Sequence, residues 1–292
     1  MSARMFLTMF LLAVLYLVFA LVLFTAGVSF TWLIVIVGAM LLAQYYFSDR
    51  MVLLSTGAKV ISPEQAPELH AIVYRLADEA GVPKPKIAVV PTPAPNAFAT
   101  GRSPGHAVVA VTQGLLDRLN PQEIEAVLAH EMSHVRNHDM VVMTLATFFA
   151  TVAMFLTRYL FFFGGGLGGS YGGGQKNRSG GGMAMVFLVS LVVGVVSFLL
   201  IRALSRYREY AADRGSAYLT EAPANLRSAL IKISNTPLGR QRSIGQTDAV
   251  NALLIAPSLK GAGEFFGELF STHPSLKHRL AYLDELEHQI NH

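Results

Sequence analysis

His130-Glu131-Met132-Ser133-His134 is the part of this chain whose residue types and spacing most plainly point to chemistry. It is an H-E-x-x-H pattern. On a helix, residues four apart share a face. His130 and His134 can therefore hold one zinc ion between them, and Glu131 can reach a water on that ion. Zinc acidifies such a water, and Glu131 can take its proton as the oxygen attacks a peptide carbonyl. The bland alternative is a polar stripe on a soluble helix.

A catalytic zinc wants three protein ligands and one open position. The chain has no cysteine, so the third ligand must be His, Asp or Glu. His138 lies one turn past His134, but a straight helix does not wrap three successive turns around one ion. The pattern H-E-x-x-H-x-x-G-x-x-H, which turns at a glycine, is also absent. Glu209, in Ser205-Arg206-Tyr207-Arg208-Glu209-Tyr210-Ala211-Ala212-Asp213, is the better candidate. A helix here places Glu209 and Asp213 on one face. Glu209 could bind the ion, and Asp213 could accept the free N–H of a zinc histidine and fix its tautomer. The alternative is a solvated pair of carboxylates offsetting Arg206, Arg208 and Arg214.

The elements that must position these groups are legible around them. Asn120 is a good N-cap, Pro121 suits the first helical position, and Glu123 can close a capping box. No Pro or Gly interrupts Gln122–Ala150, which predicts one helix running from the motif into an apolar stretch. The whole chain of 292 residues is 52% apolar and only 14% charged, with mean hydropathy +0.44. Soluble domains carry about 25% charged residues, so lipid-facing surface is expected.

Four apolar stretches are long enough to span a bilayer: Met5–Phe24, Val28–Phe47, Val141–Phe163 and Met183–Ile201. The first exceeds a signal-peptide core, and a second span follows it closely, so a retained hairpin is expected. Arg50, Arg202, Arg206 and Arg208 sit at one side of the spans, which marks that side as cytoplasmic. The net charge of +4 then reads as a topology signal, with no nucleic-acid partner. Arg158, inside the third span, is expected to snorkel to the interface. The glycine-rich stretch 164–182 reads as a flexible loop.

The expected organisation has four parts: a transmembrane hairpin at 1–47, a first catalytic part at 48–140, a second hairpin at 141–201, and a second catalytic part at 202–292. Two spans separate Glu131 from Glu209, so both return to one side of the membrane. Seven residues separate His134 from Val141 and Arg202 from Glu209. If both helices run unbroken, each group stands about 10 Å beyond its span. Lys86–Val90, Asn96–Ala99 and His106–Val111 look like short strands between Pro and Gly turns. His70, His106, His278, His288 and His292 have no partner pattern and are expected at the surface.

The motifs Asn96–Gly101, Leu128–His134 with Asn137 and Asp139, Arg208–Asp213, and Ser271-Thr272-His273-Pro274 with Arg279 resemble the HtpX-type and Ste24-type membrane zinc metallopeptidases. The match runs from the N-terminal hairpin to the C-terminus, and four spans look like the HtpX type. The chain departs at His138, where that type often has Gly. The resemblance implies an α+β, mainly helical integral membrane protein. Four transmembrane helices would carry a zincin-like (gluzincin) cytoplasmic domain with a small β-sheet. It implies one zinc per chain held by His130, His134 and Glu209, with Glu131 catalytic and Asp139 and Asp213 behind the ligands. It gives Asn96, Ala97, Phe98 and Ala99 a role as an edge strand that pairs with extended substrate; an ordinary small sheet is the alternative. His273 could donate to the oxyanion, support the zinc shell, or simply begin a helix.

The expected function is hydrolysis of misfolded or damaged membrane proteins at the cytoplasmic face of the cell membrane. The partners are peptide substrates and the bilayer, and a homo-oligomer is compatible with the sequence. The alternatives are Ste24-like processing of lipidated peptides, or a non-enzymatic membrane protein with structural zinc. An intact Glu131 argues against the last, because a structural site needs no general base.

Overall fold

The computed structural model describes residues 3–25, 30–148, 150, 179–235 and 274–292. Among these, the chain forms α1 (Ala3–Thr25), α2 (Phe30–Thr56), β1 (Lys59–Ile61), α3 (Pro67–Ala80), β2 (Lys86–Val90), β3 (Ala97–Thr100), β4 (Val108–Thr112) and α4 (Gln113–Leu116). Then follow α5 (Pro121–Arg136), α6 (Asp139–Phe148), α7 (Ser179–Thr220), α8 (Pro223–Ser234) and α9 (Leu276–Asn291). Two compact units emerge. One comprises Tyr46–Val142 with Ser205–His292, and the other comprises Ala3–Tyr45 with Met143–Leu204.

In the second unit the helices are apolar on both sides. Met5, Leu12, Tyr16 and Phe19 of α1 are buried, whereas Phe6, Leu7, Leu17 and Leu21 are exposed. Apolar surface of this extent is not stable in water and suits a lipid environment. Tyr16 Oη donates to the Ala146 carbonyl at 3.0 Å, giving its buried hydroxyl a partner. Among the described residues, two helices, Ala3–Leu21 and Met185–Thr220, are long and apolar enough to cross a membrane. The expected second span falls on α2, and the third runs past the described residues after Ala150. Arg158 lies outside them, as does most of the expected glycine-rich loop. Its last residues, 179–182, are helical and open α7. A helix nucleated in the apolar run extends at the cost of one residue per added bond, so it can propagate over glycines that would not start one.

The first unit contains a four-stranded sheet in the order β1-β2-β4-β3. β2 and β4 are parallel, and β1 and β3 flank them antiparallel. β2, β3 and β4 lie within a residue or two of the three expected strands, whereas β1 has no expected counterpart. Ala97 pairs with Val111 and Thr100 with Val108, leaving β3 at an edge. Gly101 ends it at φ +140°, where a Cβ would meet the His106 carbonyl oxygen at 2.5 Å. Helices α3 and α5 cover one sheet face through Leu69, Val73, Leu76, Ile87, Val109, Leu128 and Met132. A second core joins α5 to α8, α9 and the end of α7 through Ala126, Ala217, Leu226, Leu283 and Leu286. His70 departs from its expected surface position. It is buried on α3, with Nδ1 meeting the Ala66 carbonyl at 2.9 Å.

The helix carrying the H-E-x-x-H motif starts as expected. Asn120 Oδ1 accepts from the Glu123 N–H at 2.8 Å, and Glu123 Oε2 accepts from the Asn120 N–H at 3.0 Å. Buried Glu123 also accepts from Ser228 Oγ and Lys232 Nζ, which ties α5 to α8. The far end corrects the sequence reading. No single helix spans Gln122–Ala150: α5 stops at Arg136, and a new helix starts at Asp139. His138, at φ +57°, turns the chain between them. The left-handed region is available to non-glycine residues at a cost, so residue type alone does not announce such a break. The height argument for His134, which required an unbroken helix, does not hold. His138 is exposed and joins no ligand group among the described residues.

A left-handed residue with a Cβ carries strain of about 1–2 kcal/mol, and a β-branched one carries more. His138→Gly is therefore expected to fold with an unchanged or higher melting temperature. His138→Ile is expected to melt lower. Thermal melting of the purified variants in detergent checks both signs.

Candidate metal centre

His130, Glu131 and His134 sit on the buried face of α5. Glu209 and Asp213 lie one turn apart on α7, both buried. The two helices meet through small residues. A Cβ on Gly215 would come within 2.2 Å of Ser133 Oγ and 2.7 Å of Ser133 Cβ. Beside it, Ser216 Oγ donates to the Ala126 carbonyl at 2.7 Å. This close crossing brings Glu209 level with the histidines.

His130, His134 and Glu209 each offer one ligand atom, all within 4.8 Å of one another. The two Nε2 atoms face each other at 3.2 Å, with their rings nearly perpendicular. Glu209 Oε1 lies 3.7 Å from His134 Nε2, and Oε2 lies 3.7 Å from His130 Nε2. Behind the rings, His134 Nδ1 donates to Asp139 Oδ2 at 2.6 Å. His130 Nδ1 lies 3.0 Å from Asp213 Oδ1, off the axis of a good hydrogen bond. A proton on each Nδ1 leaves a lone pair on each Nε2, and the two lone pairs point into one space beside a carboxylate. Such a donor set repels itself unless a cation or a proton sits between. Three ligands of this type suit a metal that prefers nitrogen and oxygen.

The charges agree. Glu131, Asp139, Glu209 and Asp213 are buried carboxylates. Arg208 Nε is 3.2 Å from Asp139 Oδ2. Arg279, on α9, grips Asp213 through Nε–Oδ2 at 2.9 Å and Nη2–Oδ1 at 2.5 Å, and its Nη1 is 3.4 Å from Glu209 Oε2. Two guanidiniums among four carboxylates leave an excess that a divalent cation would balance. Burial opposes a charge on His130, but the Asp213 and Glu209 carboxylates outweigh it and hold its pKa up at about 9. Burial also opposes ionisation of Asp213, yet the Arg279 charge and His130 keep its carboxyl below the usual range. A metal entering this space must displace the His130 proton.

The structure thus brings together His130, His134 and Glu209 with Asp139 and Asp213. It places Glu131 beside them, buried and close enough for its charge to act on Arg279. The edge strand lies beside α5, with Ala97 and Ala99 packed against the core and Phe98 on the opposite sheet face. Asn96 is held by Thr112: its N–H donates to Thr112 Oγ1 at 2.8 Å, and its carbonyl accepts from the Thr112 N–H at 2.9 Å. His273 lies outside the described residues. Sequence reasoning missed what Arg208 and Arg279 hold, because charge partners distant in the chain leave no local signal. It also missed Gly215, although a glycine inside a helix is a cue to close packing.

The chain also resembles known proteins. Residues 63–287 match Peptidase family M48. The chain is 59% identical over 292 residues to a Protease HtpX homolog of Moorella thermoacetica, covering 99% of this chain and 95% of the relative. It is 51% identical to a Protease HtpX homolog 2 of Methanosarcina acetivorans, covering 100% and 97% respectively. Among solved structures, Ste24p of S. mikatae superposes with a TM-score of 0.55 at 19% identity, covering 97% of this chain and 67% of that one. That likeness is one of fold.

The α5–α7 crossing leads to a paired test. Gly215→Ala overfills the contact at a cost of about 1–3 kcal/mol and is expected to push Glu209 away from the histidines, lowering bound metal. Adding Ser133→Gly removes the colliding atoms and should restore it. Elemental analysis of both variants provides the measurement.

Proposed function

The chain belongs to peptidase family M48, and from that membership we propose a zinc-dependent membrane endopeptidase in which His130, His134 and Glu209 hold the metal and Glu131 is the general base. It is a metalloprotease; the metal's identity and the residue roles are the proposal. The observation that carries them is the convergence of two buried imidazole nitrogens and one carboxylate within 4.8 Å.

A bound zinc supplies Lewis acidity, polarising a peptide carbonyl and making water acidic. The protein's own groups do the rest. Asp139 accepts a hydrogen bond from His134 Nδ1, and Asp213 faces His130 Nδ1, so in each neutral ring the proton sits on Nδ1 and the Nε2 lone pair is the one left for a metal. Glu131 accepts a proton from the attacking water and delivers it to the departing amide nitrogen. The edge of β3, unpaired among the described residues, can accept an extended peptide through backbone hydrogen bonds, with Asn96, Ala97, Phe98 and Ala99 as the contact strand. Such pairing reads conformation more than sequence, which suits unfolded segments of damaged membrane proteins. His273 is assigned by its motif alone to the oxyanion or to support of the metal shell.

The same proposal includes four membrane-spanning helices in a cell membrane, with the site on the cytoplasmic side. Its support is the four apolar stretches and the arginines at their ends. The domain division at 48–140 and 202–292 for the catalytic parts belongs to it too.

Glu131→Gln removes a proton acceptor without removing a ligand. Proteolysis, self-cleavage included, is expected to fall about 10²- to 10⁴-fold while zinc content stays at the wild-type level. A purified Glu131→Gln protein that cleaves at the wild-type rate would remove the base from this account.

A further inference from the structure

Behind the two histidines stand two relays of the same residue types and unlike geometry. On one side His134 Nδ1 meets Asp139 at 2.6 Å, and Asp139 meets Arg208. On the other, His130 Nδ1 faces Asp213 at 3.0 Å, and Asp213 meets Arg279. Both aspartates are fully buried. Arg279 makes a two-pronged contact, with Nε on one Asp213 oxygen and Nη2 on the other. Its remaining nitrogen reaches Glu209 Oε2 at 3.4 Å. One planar guanidinium thus spans the carboxylates of two residues one helical turn apart on α7. Arg208 does nothing comparable. Its Nε is 3.2 Å from Asp139 Oδ2 but makes no hydrogen bond, and Asp139 Oδ1 has no hydrogen-bond partner.

We propose that Arg279 is a positioning residue for the metal ligands, acting through the shape of its guanidinium, whereas Arg208 acts on Asp139 only as a positive charge. A forked, planar donor fixes the orientation of the carboxylates it meets; an ammonium supplies charge without that direction. Arg279 therefore fixes the rotamer of Asp213, the carboxylate that faces His130 Nδ1, and with the same guanidinium holds a charge against the ligand carboxylate of Glu209. It arrives from α9, so the ligand set on α5 and α7 is aligned by a third element. Arg208 compensates a buried carboxylate that His134 already orients by a short hydrogen bond. This inference rests on the reading that His130, His134 and Glu209 bind the metal.

The test uses the full chain in detergent, loaded with zinc or with cobalt(II), and three substitutions. Arg279→Lys and Arg208→Lys keep the charge and remove the fork. Arg227→Lys is the control: Arg227, on α8, makes an exposed ion pair with Asp284 of α9 at 2.8 Å and, among the described residues, no ion pair or hydrogen bond with a proposed ligand. Zinc affinity is measured by competition with a chromophoric chelator, ligand geometry by the visible cobalt(II) spectrum, and anchoring of α9 by melting of the metal-free proteins. Arg279→Lys is expected to weaken zinc binding about 10- to 100-fold, the usual range for groups behind metal ligands, and to shift the cobalt bands. Arg208→Lys and Arg227→Lys should keep the wild-type spectrum and stay within about threefold of wild-type affinity, well below that range. The inference is overturned if Arg279→Lys binds and absorbs like wild type, if Arg208→Lys is equally damaging, or if Arg227→Lys matches Arg279→Lys. It is also overturned if metal-free Arg279→Lys melts far below wild type, because the residue then anchors α9 alone. Wild-type protein that binds neither metal would instead sink the ligand assignment on which the inference stands.

Discussion

Two imidazole nitrogens held 3.2 Å apart, with a carboxylate 3.7 Å from each, are the constraint around which the catalytic unit is arranged. Each nitrogen carries a lone pair once its ring is protonated on the far side. Lone pairs and carboxylate repel one another in a buried space, where water cannot screen them. The fold must therefore force them together and leave a cation to offset the cost. The α5 capping box, the small-residue crossing at Ser133 and Gly215, and the Arg279 fork all serve that forcing.

The arrangement also explains the break after Arg136. A straight continuation of α5 would carry Asp139 around the helix, away from His134. The left-handed turn at His138 starts a new helix whose first residue, Asp139, returns to within 2.6 Å of the His134 ring. The turn is strained for histidine, and the short hydrogen bond it permits fixes the ring that carries a ligand nitrogen. Local strain here lies beside a functional group, as is common for such outliers.

Much of this was legible in the residues. The spacing of His130 and His134, the cap at Asn120 and Pro121, and the one-turn spacing of Glu209 and Asp213 all follow from helical periodicity, which depends only on near neighbours. Three of the four strands, β2, β3 and β4, were marked by their Pro and Gly boundaries. The sheet order was not, because the pairing of β2 with β4 across β3 is a long-range choice. The break at His138 was missed because an unfavourable backbone angle leaves no trace when the residue is not glycine. His70 was misplaced because a histidine whose nitrogen bonds its own helix's backbone can be buried without any polar partner in the motif pattern. The contacts of Arg208 and Arg279 needed three helices in place.

The central claim is most directly tested by zinc K-edge X-ray absorption on the purified, unmodified protein. The account predicts one zinc per chain with only nitrogen and oxygen neighbours, two of them imidazoles by their multiple-scattering pattern. Zinc bound by one imidazole or none, or a protein that holds no zinc when loaded, would contradict it.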